Sequence, residues 1–152
     1  MGKVILVLIV LTFSQFQAVA QCTGPTPSPS AACTGTLLTD GAVINTGNVY
    51  YYDGGPATFN NVSLNGGLLR ICGTLTIVNL SFNEGRIVIE PTGNLSFGGS
   101  IATLAVPRQL LTNYGTLSIG QNYQVNSDSY LINFGTVNMN TATSATGTNA
   151  FV

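Results

Sequence analysis

The sequence contains no histidine and no tryptophan, and only 6% of its 152 residues are charged. In soluble domains, about a quarter of all residues are usually charged. Nucleic-acid binding needs many Lys and Arg side chains to neutralise phosphates, so this class of function is excluded. The lack of histidine removes the commonest general base and metal ligand, and with it the usual serine triad.

The five acidic residues are scattered along the chain. Polysaccharide-degrading enzymes need carboxylates that lie close together. Three cysteines without histidine or a Cys-x-x-Cys pair do not form a zinc pattern. No glycine-rich phosphate loop with lysine occurs either. We therefore expect no enzymatic activity, no cofactor and no metal site.

Residues 1–20 have the features of a secretory signal. Lys3 is followed by an apolar run from Val4 to Leu11, and Ala18-Val19-Ala20 matches the small-x-small cleavage pattern. The run is shorter than the roughly 20 apolar residues that a membrane span requires. We expect cleavage near Ala20, a mature chain without a membrane span, and a secreted or cell-surface location.

Cys22 and Cys33 lie within a Pro/Ser-rich segment, which we assign to residues 21–36. In an exported chain, two cysteines so close in sequence are natural partners for a local disulfide. We therefore expect a bond between Cys22 and Cys33. Cys72 is left over and is expected to be a packed thiol.

An internal repeat dominates the rest of the sequence. Four segments align without gaps, namely residues 68–77, 88–97, 110–119 and 130–139. Each contains a glycine at the same place, and these glycines are 20, 22 and 20 residues apart: Gly73, Gly93, Gly115 and Gly135. After each glycine, polar and apolar residues alternate, which is typical of a strand with one buried face. The apolar members, expected to point inward, are Leu75, Ile77, Leu95, Phe97, Leu117, Ile119, Val137 and Met139.

Short strands that recur about every 20 residues indicate an all-β fold, a parallel β-helix or β-solenoid with coils of about 20–22 residues. We assign it to residues 37–140, with an irregular tail or the start of a truncated coil over 141–152. The gap-free alignment stacks Asn113 on Asn133 and makes Arg70 and Glu90 outward neighbours. It also places Cys72, Thr92, Tyr114 and Phe134 in one column.

Two outward polar columns are the first candidate binding surface. One consists of Thr74, Asn94, Thr116 and Thr136, and the other of Thr76, Ser96, Ser118 and Asn138. A flat hydroxyl array of this kind would suit an ice-binding solenoid. The alternative is that Thr and Ser simply suit the solvent side of a strand.

Tyr50, Tyr51 and Tyr52 form the densest aromatic cluster and are the second candidate. They would suit a carbohydrate-stacking platform. The alternative is packing at the edge of a coil, since aromatic residues in strands usually include buried ones.

The signal ending Ala18 to Cys22 and the motifs Asn113 to Ile119 and Asn133 to Met139 support a resemblance. The chain resembles bacterial secreted β-helix repeat proteins, many of them adhesin-like and exported by the type IX route. The resemblance covers residues 68–139 well and 34–67 loosely. It implies a repeat architecture more firmly than a function.

These observations together predict a secreted, non-enzymatic β-solenoid surface module with a structural or adhesive role. A glycan- or ice-binding module is the alternative, and a fragment of a solenoid polysaccharide lyase or hydrolase is the second alternative. The expected partners are surface glycans, or other protein chains through an uncapped solenoid edge.

Overall fold

The computed structural model describes residues 33–98, 103–104, 109–120, 124–125, 129–139, 144–145 and 150–151. These residues contain strands and turns and no helix. The strands are β1 (Thr36–Leu37), β2 (Val43–Asn45), β3 (Val49–Tyr52), β4 (Ala57–Ile71), β5 (Thr74–Ile89), β6 (Asn94–Phe97), β7 (Thr103–Leu104), β8 (Gln109–Asn113), β9 (Thr116–Ile119), β10 (Gln124–Val125), β11 (Ser129–Asn133), β12 (Thr136–Met139), β13 (Ser144–Ala145) and β14 (Ala150–Phe151). The proposed signal segment and Cys22 lie outside the described residues.

The strands stack in parallel as the coils of a β-solenoid of about four turns, which confirms the predicted fold class. One sheet contains the first part of β4 and β5 followed by β6, β9 and β12. A second contains β3, the last part of β4 and β5, then β8, β11 and β14. Strands β7, β10 and β13 pair separately.

The core lies between these sheets and consists of stacked apolar side chains. Leu75, Leu95 and Leu117 lie in one column and are fully buried. Ile77, Phe97 and Ile119 form the neighbouring column and are at most 5% exposed. The predicted inward positions are therefore correct on three successive coils. On the last coil of this sheet, Val137 is half-buried and Met139 is 39% exposed.

The repeated glycines lie where one coil approaches the next most closely. A Cβ atom at Gly115 would come within 2.2 Å of the Gly93 carbonyl oxygen and 2.4 Å of the Glu90 carbonyl oxygen. No side chain can be accommodated at that distance from backbone atoms. The glycine spacing found in the sequence thus reflects the spacing of the corners.

The corner before β6 is two residues longer than the gap-free alignment assumed. Ile71 pairs with Ile89, yet one residue separates Ile71 from Gly73, whereas three residues separate Ile89 from Gly93. The backbone N–H groups of Cys72, Glu90, Tyr114 and Phe134 donate to equivalent carbonyls of the preceding coil. Glu90 therefore occupies the column position predicted for Thr92, and that prediction is wrong. The additional residues Pro91 and Thr92 form the turn, where the Thr92 hydroxyl donates to the Cys72 carbonyl at 2.9 Å.

The disulfide joins Cys33 to Cys72, with 6.3 Å between their Cα atoms. The predicted pairing of Cys33 with Cys22 is therefore wrong, and Cys72 is not a free thiol. The prediction relied on proximity in sequence. In a solenoid, however, residues about one or two coils apart are neighbours, and these two cysteines are 39 residues apart.

The predicted asparagine ladder is present. Asn113 is fully buried, and its Nδ2 donates to Asn133 Oδ1 at 2.7 Å and to the Thr136 carbonyl at 3.0 Å. Asn133 in turn donates to the Gly135 carbonyl at 3.1 Å. The amides hold two coils and the following corner together.

Candidate functional site

The polar face consists of the eight outward residues of the predicted columns, and all eight are in register. Within each column, every residue is the register partner of the next one along the solenoid. The first column is Thr74, Asn94, Thr116 and Thr136, and the second is Thr76, Ser96, Ser118 and Asn138. Successive members are about 4.8 Å apart, the spacing of paired strands. Six of the side chains are half-buried, and those of Thr136 and Asn138 are exposed. The result is a continuous surface of hydroxyl and amide groups without a charge.

Asn94 is the irregular member of the polar face. Its Oδ1 is buried and accepts no hydrogen bond from the described part of the chain. The neighbouring positions in its column, Thr74 and Thr116, carry hydroxyl groups instead. An amide in the middle of the column interrupts a regular hydroxyl lattice.

The three tyrosines are not brought together with the polar face, because β3 belongs to the second sheet. Tyr50 and Tyr52 pack against the core. Tyr52 lies edge-on to Phe59, with 5.5 Å between ring centroids, and donates its hydroxyl hydrogen to the Gly55 carbonyl at 2.7 Å. These contacts favour the packing interpretation for Tyr50 and Tyr52. Only Tyr51 takes an outward position, next to Arg70 in the register.

The outer surface of the second sheet is more apolar, and we call it the apolar face. It has two columns of outward positions: Val49, Leu68, Arg86, Leu110 and Tyr130, and beside them Tyr51, Arg70, Val88, Thr112 and Ile132. Val88 and Thr112 are buried, with exposed fractions of only 8% and 1%, so their side chains do not contribute to the surface. Val49 is 38% and Tyr130 is 44% exposed. Exposed aromatic and arginine side chains are enriched where proteins bind partners.

A groove of about 220 Å³ lies at the border of the apolar face. Its walls come from three successive coils, through Gly47 to Val49, Gly66 to Leu68, and Arg86. Gly66 and Gly85 turn this corner with φ of +103° and +116°. Because glycines at the corner project no side chain, the surface falls away beside Val49 and Leu68.

The charged groups of the apolar face differ in their surroundings. Arg70 forms an ion pair with Glu90, and the Glu90 side chain is almost fully buried. Arg86 is exposed and forms no ion pair with any residue in the described ranges. The fixed charge of Arg70 is thus neutralised, whereas that of Arg86 is available beside the groove.

Tyr114 lies within the electrostatic influence of Glu90 and Arg86. Its ring stacks on Phe134, with 5.1 Å between ring centroids and 10° between ring planes. This stacking agrees with the common column that the sequence predicted for these two residues. Burial raises the pKa of the Tyr114 hydroxyl, the negative charge of Glu90 raises it further, and Arg86 opposes both effects. Tyr114 is therefore a neutral, structural aromatic residue at neutral pH.

Asp40 is a further acidic group with a local role. Its Oδ1 accepts hydrogen bonds from the backbone N–H groups of Gly41, Asn60 and Asn61 at 2.8–3.0 Å. The bond from Asn61 is the main reason why the pKa of Asp40 is lowered. The carboxylate fastens the loop before β2 onto β4.

Sequence reasoning missed the groove and Arg86. A signal was present, because Gly47, Gly66 and Gly85 recur at intervals of 19 residues. That second glycine series marks the corner at which the groove lies.

Across the parts of the chain that the structure describes, no three Cys, Asp or Glu side chains cluster as a metal site would require. Nor do those residues include a helix long and apolar enough to cross a membrane.

Comparisons with protein-family models, with curated proteins and with solved structures found no match for this chain.

Proposed function

We propose that the chain is an exported, non-enzymatic β-solenoid module with a structural and adhesive role at a cell surface. Export is supported by the signal-like residues 1–20 and by the disulfide between Cys33 and Cys72. Structural disulfides persist in oxidising compartments and are rare in the cytosol.

The observation that carries the adhesive role is the polar face, with eight uncharged polar side chains in register over four coils. A solenoid is quasi-one-dimensional, and its stacked coils create extended binding surfaces. Hydroxyl and amide groups both donate and accept hydrogen bonds, as a neutral glycan does. Surface glycans are therefore the partners that we propose.

Two of the five acidic residues support the non-enzymatic part of the proposal. Asp40 accepts hydrogen bonds from the backbone of its own coil and from β4. Glu90 forms an ion pair with Arg70. Both carboxylates are thus used to hold coils together. Hydrolysis of a polysaccharide by the purified chain would contradict this part.

The adhesive role can be tested with beads that carry the folded chain, retained under flow on immobilised glycans. We expect retention of the natural chain and a several-fold loss in Ser118→Lys, which places a charge in the polar face. The matched control is Ser81→Lys, because Ser81 is exposed on the middle part of β5 and lies outside the polar face. Failure of the folded chain to adhere to any glycan surface would overturn the proposal.

Ice binding is the second candidate, favoured by the register of the two hydroxyl-bearing columns. Inhibition of ice recrystallisation by the natural chain, and its loss in Ser118→Lys only, would establish it. The interruption by Asn94 leads us to place it second.

Self-association is the other alternative for a partner, through unpaired backbone groups at a solenoid edge. Light scattering over a range of protein concentrations tests it. A monomer at all concentrations would exclude association of this kind.

A further inference from the structure

We propose that the groove beside Arg86 binds a carboxylate-bearing sugar, so that the chain has an acidic-glycan site separate from the polar face. The assignment of the ligand to glycans rests on the adhesive function proposed above. The groove itself follows from the geometry of three coils.

The first step is the charge of the groove. The exposed Arg86 guanidinium is its only charged lining group among the described residues. The other described arginine side chain, Arg70, is already paired with Glu90. A guanidinium presents a planar fork of donors that matches a carboxylate, and such charge-assisted pairs are the strong ones. The complementary ligand is therefore an anion with a planar carboxylate group.

The second step is the shape of the groove. Val49 and Leu68 supply an apolar wall, and the glycines on both sides keep side chains out of the space. A volume of about 220 Å³ lies below the range typical of drug-sized ligands. One ring with an apolar C–H face and one carboxylate fits this combination.

The third step distinguishes a sugar from a peptide. An extended peptide usually binds by adding a strand to an exposed sheet edge. Each strand beneath the groove is already paired on both sides: β3 with β1 and β4, β4 with β3 and β5, and β5 with β4 and β8. Recognition in the groove therefore uses side chains and shape, which favours a sugar.

The column that contains Arg86 also provides a place for further sugar rings. Leu110 and Tyr130 follow Arg86 at intervals of about 4.8 Å along the solenoid axis. Tyr130 is 44% exposed, and aromatic faces stack well against apolar surfaces. An acidic oligosaccharide aligned with the axis would contact both Arg86 and Tyr130.

Calorimetric titration with a matched pair of ligands tests the inference. The probes are cello-oligosaccharides and the same oligomers oxidised at C6, which differ only in the carboxylate. We expect the natural chain to bind the oxidised oligomer and Arg86→Gln to bind it at least about tenfold more weakly, which corresponds to about 1.4 kcal/mol. Arg86→Lys should recover part of the affinity, because it keeps the charge and loses the fork. The control is Ser81→Ala, which lies on the exposed middle part of β5 outside both the groove and the polar face and should bind as the natural chain does.

Three results would overturn the inference. Equal binding of both oligomers would show that the carboxylate does not contribute to the affinity. Full affinity in Arg86→Gln would show that the site lies elsewhere. Equal binding of an oligoglutamate peptide would remove the assignment to a sugar. Any of these results leaves the adhesion assay unaffected, since retention on neutral glycans depends on the polar face. Thermal melting of each variant verifies that it is folded.

Discussion

Asn113 donates from its Nδ2 atom to Asn133 Oδ1 on the next coil, and Asn113 is fully buried while doing so. The bond makes a corner of the solenoid depend on two amides exactly one coil apart in the stack. Buried polar groups cost free energy when their partners are removed. This pair therefore provides a direct measure of how strongly neighbouring coils are coupled.

Replacement of the buried amide should destabilise the fold. We expect Asn113→Ala to lower the free energy of unfolding by about 1–3 kcal/mol, because the Thr136 carbonyl and Asn133 Oδ1 lose their donor. Asn133→Ala should cost less, since Asn133 is only half-buried. Urea denaturation checks both, with the exposed Asn138→Ala as the control, expected within about 0.5 kcal/mol of the natural chain. A smaller effect at Asn113 than at Asn138 would contradict the ladder.

The central apolar column should respond as a packed core. We expect Leu95→Ala to lower the free energy of unfolding by about 2–5 kcal/mol, because Leu95 is fully buried between Leu75 and Leu117. Ser96→Ala, the next residue on the outward side of the same strand, should change it by less than about 0.5 kcal/mol. The comparison uses chemical denaturation. Equal effects at the two positions would mean that the alternation of inward and outward residues is wrong.

A corner glycine should tolerate no side chain. We expect Gly115→Ala to destabilise the fold by about 1–3 kcal/mol, because its Cβ atom would lie 2.2 Å from the Gly93 carbonyl oxygen. At Gly55 no atom lies within 4 Å of the added Cβ, so Gly55→Ala is the control. Thermal melting measures both. Equal melting temperatures for the two variants would be inconsistent with close stacking at this corner.

Asp40 should make stability depend on pH in the acidic range. Its pKa in the folded chain lies below the ordinary value of 3.8, chiefly because of the hydrogen bond from the Asn61 backbone. The stabilisation is therefore present above pH 3.8 and is lost as the pH falls through the folded-state value. We expect Asp40→Asn to reduce stability at neutral pH and to flatten this part of the profile. Denaturation of both chains between about pH 2 and 7 tests it; parallel profiles would exclude the role of Asp40.

The regular part of the fold could be predicted from sequence because glycine and alternating apolar residues repeat together. Leu75, Leu95 and Leu117 follow their corner glycines at a constant interval of two residues, so one alignment places them all in register. The same local logic placed the two polar columns. Both predictions need only short-range patterns that every coil repeats.

Features that depend on differences between coils could not be predicted in this way. The gap-free alignment concealed the longer turn at Pro91 and Thr92, so it placed Glu90 beside Arg70 as an outward neighbour, two residues from its true column. In the structure Arg70 pairs in register with Val88, and Glu90 is buried. Its ion pair with Arg70 was nevertheless expected, because the arginine side chain spans the difference. The glycine series Gly47, Gly66 and Gly85 marks the corner at which the Arg86 groove lies, but the lining of the groove comes from three coils and follows only from their stacking.

The low charge of the chain has a structural explanation in the stacked columns. Equivalent positions on adjacent coils are about 4.8 Å apart, and like charges at that distance repel. The polar face avoids the problem with neutral side chains. Where charges do meet on adjacent coils, Arg70 and Glu90 have opposite signs.

The proposed adhesive role requires that the chain leave the cytoplasm, and a structural disulfide is typical of exported proteins. The most direct test is to express residues 1–152 with their own leader in a bacterial host, and to determine the location, the N-terminus and the non-reduced peptide map of the product. We predict a product outside the cytoplasm that begins at Gln21 and contains a peptide pair joined through Cys33 and Cys72. A cytoplasmic product that retains residues 1–20 and has free thiols at both cysteines would contradict the proposed export.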